Sequence, residues 1–198
     1  GNTALGIDVF AALTSGDNNV VVGFESGNDL TTGSRNTALG ANALDKTTTP
    51  NDNTAIGFAA MTANTTGAAN VAVGKRALQT NTTANDNTAL GASAMAANTE
   101  GASNVAVGAS SMGANTTASN NTSVGYSSLA ACTTGAGNTA VGAIALDAIT
   151  TSADNTAVGH QALTNASSGA GNTAIGKATM TAVVTGSNNV AVGRYALS

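Results

Sequence analysis

Tryptophan is absent from the 198 residues, proline and histidine occur once each, and aromatic residues make up only 3%. A chain so poor in large side chains cannot fill a thick core, so its buried surface must come from small and medium aliphatic groups packed at short range. One cysteine, Cys132, rules out an intramolecular disulfide and reads as a small core filler. Charged residues are 8% of the chain, six Lys plus Arg against ten Asp plus Glu, for a net charge of −4. That balance offers no basic patch for a phosphate backbone and argues against a nucleic-acid partner. It also argues against disorder, which usually brings high net charge. No apolar run approaches the ~20 residues that span a bilayer. The lone His160 leaves no His-based triad and no multi-His metal site within one chain, and the few carboxylates are scattered, unlike those of glycan-cleaving enzymes. Neither an enzyme nor a cofactor is expected.

What is present is a strict repeat. Glycines fall at 6, 23, 40, 57, 74, 91, 108, 125, 142, 159, 176 and 193, evenly spaced from first to last with no insertion, which defines a 17-residue unit. Each closes a pentapeptide of the form Asn-Thr/Val-Ala-aliphatic-Gly, as in Asn53-Thr54-Ala55-Ile56-Gly57. Period-2 alternation marks a short strand with the Thr/Val and aliphatic positions on one side and Asn, Ala and Gly on the other. The aliphatic column, Leu5, Val22, Leu39, Ile56 and onward to Val192, is expected to face the core. The Ala column, which includes Ala38, Ala55, Ala72, Ala89, Ala106, Ala140, Ala157 and Ala174, is then expected to be a flat external face suited to self-association. Asn heads all twelve copies and reads as a structural ladder: Asn2, Asn19, Asn36, Asn53, Asn70, Asn87, Asn104, Asn121, Asn138, Asn155, Asn172 and Asn189.

Four residues past each glycine stands a second apolar column, Leu or Met in ten of twelve copies, read as the opposite wall. Its stretch is expected to be a second strand, with one helical turn as the alternative, as in Gly159–Ala166. A Thr pair and a turn follow. In the turn, Gly33, Gly67, Gly101, Gly135 and Gly169 alternate with Pro50, Ala84, Ala118 and Ser152, and Asx residues such as Asp52, Asp86, Asn120 and Asp154 recur every second unit, so a 34-residue super-repeat overlies the shorter one. The glycines are expected to supply positive φ and the Asx side chains to close their turns. Either each unit makes one coil, or two successive units make one coil of two similar halves; the former is favoured, because two strands and two turns fit within a single unit. The fold class is therefore all-β, a parallel β-solenoid of about twelve 17-residue coils, with residues 1–198 forming a single array. A rod of roughly 55 Å follows from a strand spacing of ~4.8 Å. The array opens and closes inside a repeat, and the expectation is an excerpt of a longer chain.

Three motifs resemble chemistry. Gly171–Ala178 approaches a phosphate-binding loop, but Ala178 stands where a metal-holding hydroxyl belongs; Gly169–Ala174 loosely matches a dinucleotide fingerprint. Both follow from the repeat itself. The column Thr31, Thr48, Thr65, Thr82, Thr99, Thr116, Thr133 and Thr150, flanked by a second column from Thr32 to Thr151, is a regular array of methyls and hydroxyls of the kind an ice-binding face requires. Glu100 interrupts the flanking column, and β-branched Thr also suits a strand edge.

The unit Asn138-Thr139-Ala140-Val141-Gly142-Ala143-Ile144-Ala145-Leu146 resembles the head repeats of YadA-type trimeric autotransporter adhesins, and equally the repeats of bacteriophage tail fibres. The resemblance covers essentially the whole chain. It implies a parallel β-roll that self-associates as a homotrimer or filament, an extracellular place on a cell surface or virion, and a surface receptor. The 17-residue unit is longer than the usual adhesin unit. The function expected is a structural or adhesive fibre segment, with ice binding as the rival.

Overall fold

The computed structural model describes residues 1–165, 168–182 and 185–198. Among them lie twelve strands of three residues each, from β1 (Thr3–Leu5), β2 (Val20–Val22) and β3 (Thr37–Leu39) through β6 (Thr88–Leu90) to β12 (Val190–Val192). They form one parallel sheet in strict sequence order, and every pairing joins residue i to residue i+17, as in Thr37↔Thr54 and Ala89↔Ala106. One repeat unit therefore makes one coil of a β-solenoid. Parallel neighbours normally need a long crossover; here the rest of each coil is that crossover.

The non-strand part of the coil is neither a second strand nor a helical turn. Two consecutive residues point inward there, as with Ala43 and Leu44 or Ala94 and Met95, all buried. A strand would send them to opposite sides. The backbone manages this by entering the left-handed region at the second and fourth residues past the glycine, Ser93 (φ 56°) and Met95 (φ 49°) for example. The turn is held by Ala94 N–H donating to the Gly91 carbonyl and by Met95 N–H donating across to the Ser111 carbonyl of the next coil. The Gly159–Ala166 stretch follows the same course, with Ala166 itself outside the described residues.

The inside and outside of the strand are the reverse of the sequence expectation. The central residue of each strand, Ala in most coils, is the buried one, packed against Leu44, Met61, Leu78, Met95, Met112, Leu129, Leu146, Leu163 and Met180 from the opposite wall. The aliphatic column faces out: Leu39 is 48% exposed, Leu90 46%, Val141 and Val158 37%. The coil is thin, and once the opposite wall is filled by a long Leu or Met the space before the sheet admits only a methyl group, or Val21 and Ser123.

The pentapeptide glycines are fixed by two requirements. At Gly74, φ is +134°, which side chains rarely tolerate, and a Cβ would fall 2.5 Å from the Gly91 carbonyl oxygen. The turn glycines at 33, 67, 101, 135 and 169 were expected to supply positive φ and do not; at Gly67 a Cβ would fall on the Ala84 carbonyl of the next coil, so they are there for close approach. Positive φ belongs instead to the residue two places on, Asp52 (63°), Asp86 (59°) and Asp154 (60°) in one set of coils, Arg35 (58°), Ala69 (56°) and Gly137 (70°) in the other.

Candidate interaction surfaces

The Asn column runs inside the solenoid. Asn19 through Asn172 are buried, and each backbone N–H donates to the Oδ1 of the Asn one coil earlier, eleven bonds of 2.7–3.0 Å from Asn19→Asn2 to Asn189→Asn172. In most coils the Nδ2 also donates to a carbonyl at the far end of the same coil, as in Asn87→Gly101 at 2.9 Å and Asn104→Ala118 at 2.8 Å. Each side chain thus ties the two ends of its own coil together while capping the coil above. Buried polar groups are tolerable only when satisfied in this way.

A second interior ladder was not foreseen. Asn64, Asn81, Asn98 and Asn115 are buried ahead of the Thr pair and joined Nδ2 to Oδ1 at 2.8, 2.9 and 2.6 Å. Its column continues as Cys132 and Ile149, and begins with Leu13, Leu30 and Thr47. The two junctions leave Asn115 Oδ1 and Thr47 Oγ1 buried and unpartnered. A cue was visible in the sequence, since Asn recurs once per unit there, but only over four coils. A third polar cluster, Ser111, Ser123 and Ser128, is self-satisfied in the core, with Ser111 Oγ donating to Ser123 Oγ at 2.8 Å and Ser123 and Ser128 Oγ 2.6 Å apart.

Because Ala38, Ala55, Ala72, Ala89, Ala106, Ala140, Ala157 and Ala174 are all buried, they cannot be a face on which another chain docks. The Thr31–Thr150 column, which Thr14 extends, lies on a ridge, but the eight hydroxyls from Thr14 to Thr133 are committed, each donating to the carbonyl of the Thr one coil later at 3.0–3.1 Å. The flanking column, Thr32, Thr49, Thr66, Thr83, Thr117, Thr134 and Thr151, is exposed.

The super-repeat has its cause at the next corner. Backbone N–H groups that follow four of the five turn glycines are met by a side chain of the neighbouring coil: Ser34 N–H by Asn51 Oδ1 at 2.7 Å, Ala68 by Asn85 at 2.7 Å, Ala102 by Ser119 Oγ at 3.0 Å, Ala170 by Ser187 at 3.1 Å; after Gly135, Ala136 faces Ala153, which has no side-chain acceptor. Between Gly33 and Ser119 coils therefore work in pairs, one with a bare glycine corner and one supplying the cap, while at the ends Ser34 and Ser187 supply caps from glycine coils. The Asx residues at 52, 86 and 154 make no hydrogen bond to their own turns among the described residues; they contribute their tolerance of the left-handed region.

Titratable groups are few and peripheral. Arg35 and Asp52, on adjacent coils, pair at 2.6 and 2.9 Å, a bond that holds the Asp52 carboxyl below its ordinary range. Burial pushes the Cys132 thiol up, against a bond from Sγ to the Gly135 carbonyl at 3.3 Å. Burial likewise raises Asp147, whose Oδ1 is covered and unpartnered, and Asp45, which Lys46 partly offsets at 3.9 Å. Among the described residues there is no pocket and no group of three metal-ligating side chains, and no helix is long and apolar enough to cross a membrane. His160 stands exposed on its corner.

Comparison with protein families, with curated proteins and with solved structures finds no match to this chain. The surfaces themselves carry the functional argument. One is the ridge of exposed threonines. A second is a set of bulky corner residues, Phe24 (49% exposed), Phe58 (48%) and Tyr126 (61%), with Ala92 between the last two on coils of the same parity. The third is the outward side of the sheet, whose two columns hold only Thr, Val, Leu and Ile in all twelve strands.

Proposed function

We propose that this chain is a structural and adhesive rod, a fibre segment that holds a binding element away from a cell or virion surface. The observation that carries the reading is the unbroken register: all twelve strands pair in sequence order, each offset from its neighbour by one coil, with one polar line running from Asn2 to Asn189 and a second from Thr14 to Thr150. Such an array resists bending because each coil is bonded to both neighbours, and its length scales with the number of coils. The scarcity of charge and the absence of a pocket among the described residues suit a spacer better than a catalyst.

Self-association belongs to the same proposal, as a homotrimer or filament in an extracellular setting, alongside a surface receptor. With the alanines buried, the corner set of Phe24, Phe58 and Tyr126 is the surface suited to it, because exposed aromatic rings are the residues most enriched in protein interfaces. Multi-angle light scattering on the chain is the test. An oligomer that becomes monomeric when Phe24, Phe58 and Tyr126 are replaced by Ser supports the reading; a monodisperse monomer at high concentration overturns its self-association arm. A bent, flexible particle by electron microscopy in place of a straight rod overturns the rest.

A further inference from the structure

The outward side of the sheet is uncharged in all twelve strands. Its first column is Thr at eight coils and Val at four, and its second is Leu, Val or Ile throughout, so twenty-four outward positions carry no charge and no amide. The corner after the glycine is not so restricted, holding Ile7, Phe24, Lys75, Tyr126, His160 and Arg194 among its twelve residues, and the flanking threonine column is broken by Glu100. β-propensity favours Thr and Val in a strand but admits Tyr, Phe and charged residues on a solvated face.

Two further facts bear on what meets this surface. No hydroxyl of the column, Thr37, Thr54, Thr88, Thr122, Thr139 or Thr156 included, takes part in a hydrogen bond among the described residues, whereas the ridge hydroxyls from Thr14 to Thr133 are spent on the next coil. And the face is a strip, about 55 Å long but only two side chains, roughly 7 Å, across. Its exposed area, on the order of 1,000 Å², is enough for a stable dimer, for which about 800 Å² per partner is usual. The shape is wrong for one. A dry protein interface needs a water-excluded centre inside a rim, and a strip two residues wide is all rim.

We propose that this face binds a periodic lattice of ordered water, that is, ice. A hydroxyl bonded to ordered water keeps its hydrogen bonds, and the intervening methyl and isopropyl groups hold the first water layer in cage-like order. The rungs are spaced at one coil, ~4.8 Å, along the rod, with a hydroxyl at eight of twelve and an aliphatic group two residues, ~6.7 Å, across from each, so the backbone holds the array in place before contact. The assignment places ice binding on the strand face and not on the Thr31–Thr150 ridge, and it does not require the rod to self-associate.

Thermal hysteresis and ice-adsorption measurements on the full chain test it, with three variants. Wild type is expected to show hysteresis and to partition into a growing ice front. Thr88→Tyr with Val107→Tyr, at the centre of the strip, is expected to lower hysteresis at least tenfold with an unchanged circular dichroism spectrum. Thr83→Lys, on the ridge, is expected to leave it unchanged. Should the tyrosine pair misfold, Thr88→Val with Thr122→Val and Thr139→Val introduces only a side chain the column already holds at Val71 and Val105, and is expected to lower hysteresis several-fold. Wild type without hysteresis at millimolar concentration overturns the proposal, as does a strip variant indistinguishable from wild type. A dimer that dissociates in the strip variants, with no hysteresis in any form, assigns the face to a second copy and overturns it as well.

Discussion

At Gly74 the left-handed backbone and the carbonyl of Gly91 leave no room for a methyl group, while Gly113 has a φ any residue adopts and lies in a column where its neighbours are Ala96 and Ala130. Gly74→Ala is expected to destabilise by about 3 kcal/mol or more, since strain and displaced backbone add. Gly113→Ala is expected to be neutral or to stabilise by up to about 1 kcal/mol through the unfolded chain. Denaturant midpoints of the two variants compare them directly. Asp147 carries a different signature. Burial raises its folded pKa, so the folded chain holds this proton more tightly than the unfolded one; that contribution is fully present below the ordinary carboxylate range and is lost as pH rises through the raised value. Asp147→Asn is therefore expected to melt higher than the parent at neutral pH, with the difference closing on acidification. A parent curve that falls instead on acidification, relative to the variant, contradicts the sign.

Within one coil, the Asn side chain joins both ends of the loop and the coil beyond. Removing it at Asn87→Ala leaves the Asn104 N–H without its Oδ1 acceptor in a buried setting, while the Gly101 carbonyl keeps its second donor, Asn98 Nδ2 at 3.0 Å. The expected loss is about 1–3 kcal/mol, from the one buried donor left unpaired. Hydrogen exchange should show the Asn104 amide losing protection before the amides of β3. This element also shows where sequence reading succeeds and where it fails. The strand, its register and the glycine column were legible because each rests on a local rule repeated twelve times. The direction of the strand's two faces was not. Period-2 alternation separates Ala38 from Leu39 without saying which lies inside, and the rule that larger aliphatics are buried fails in a coil too thin for them on both walls. The turn opposite escaped for a related reason: left-handed Met95 and Leu129 are not residues from which positive φ would be inferred, and only stacking on both sides sustains them.

Over the whole molecule, the paired coils set the unit of length. Deleting residues 85–118 removes a glycine coil and a capping coil together and leaves Ala84 ahead of Gly135, as the pattern demands. Deleting 85–101 removes one coil and stacks Ala84 against Ala118, where each of these alanines has only glycine neighbours in the native chain. The longer deletion is expected to keep the parent's melting temperature within a few degrees, and the shorter to cost about 1–3 kcal/mol by crowding. A shorter deletion as stable as the longer would mean that the super-repeat has no energetic content. Scattering should show the longer deletion shortening the rod by two strand spacings, about 10 Å.

The two polar lines run in opposite senses. Along the asparagines every main-chain donor faces the coil before it, and along the ridge every hydroxyl donor from Thr14 to Thr133 faces the coil after it. A coil approaching upside down would set donor against donor on both lines at once. The molecule is thus vectorial, like a stack of cups that nests one way only, and bonds aligned head to tail polarise one another in the same sense. That arrow also protects a repetitive chain from its obvious hazard, since twelve near-identical strands offered to each other in the cell have only one orientation in which they fit.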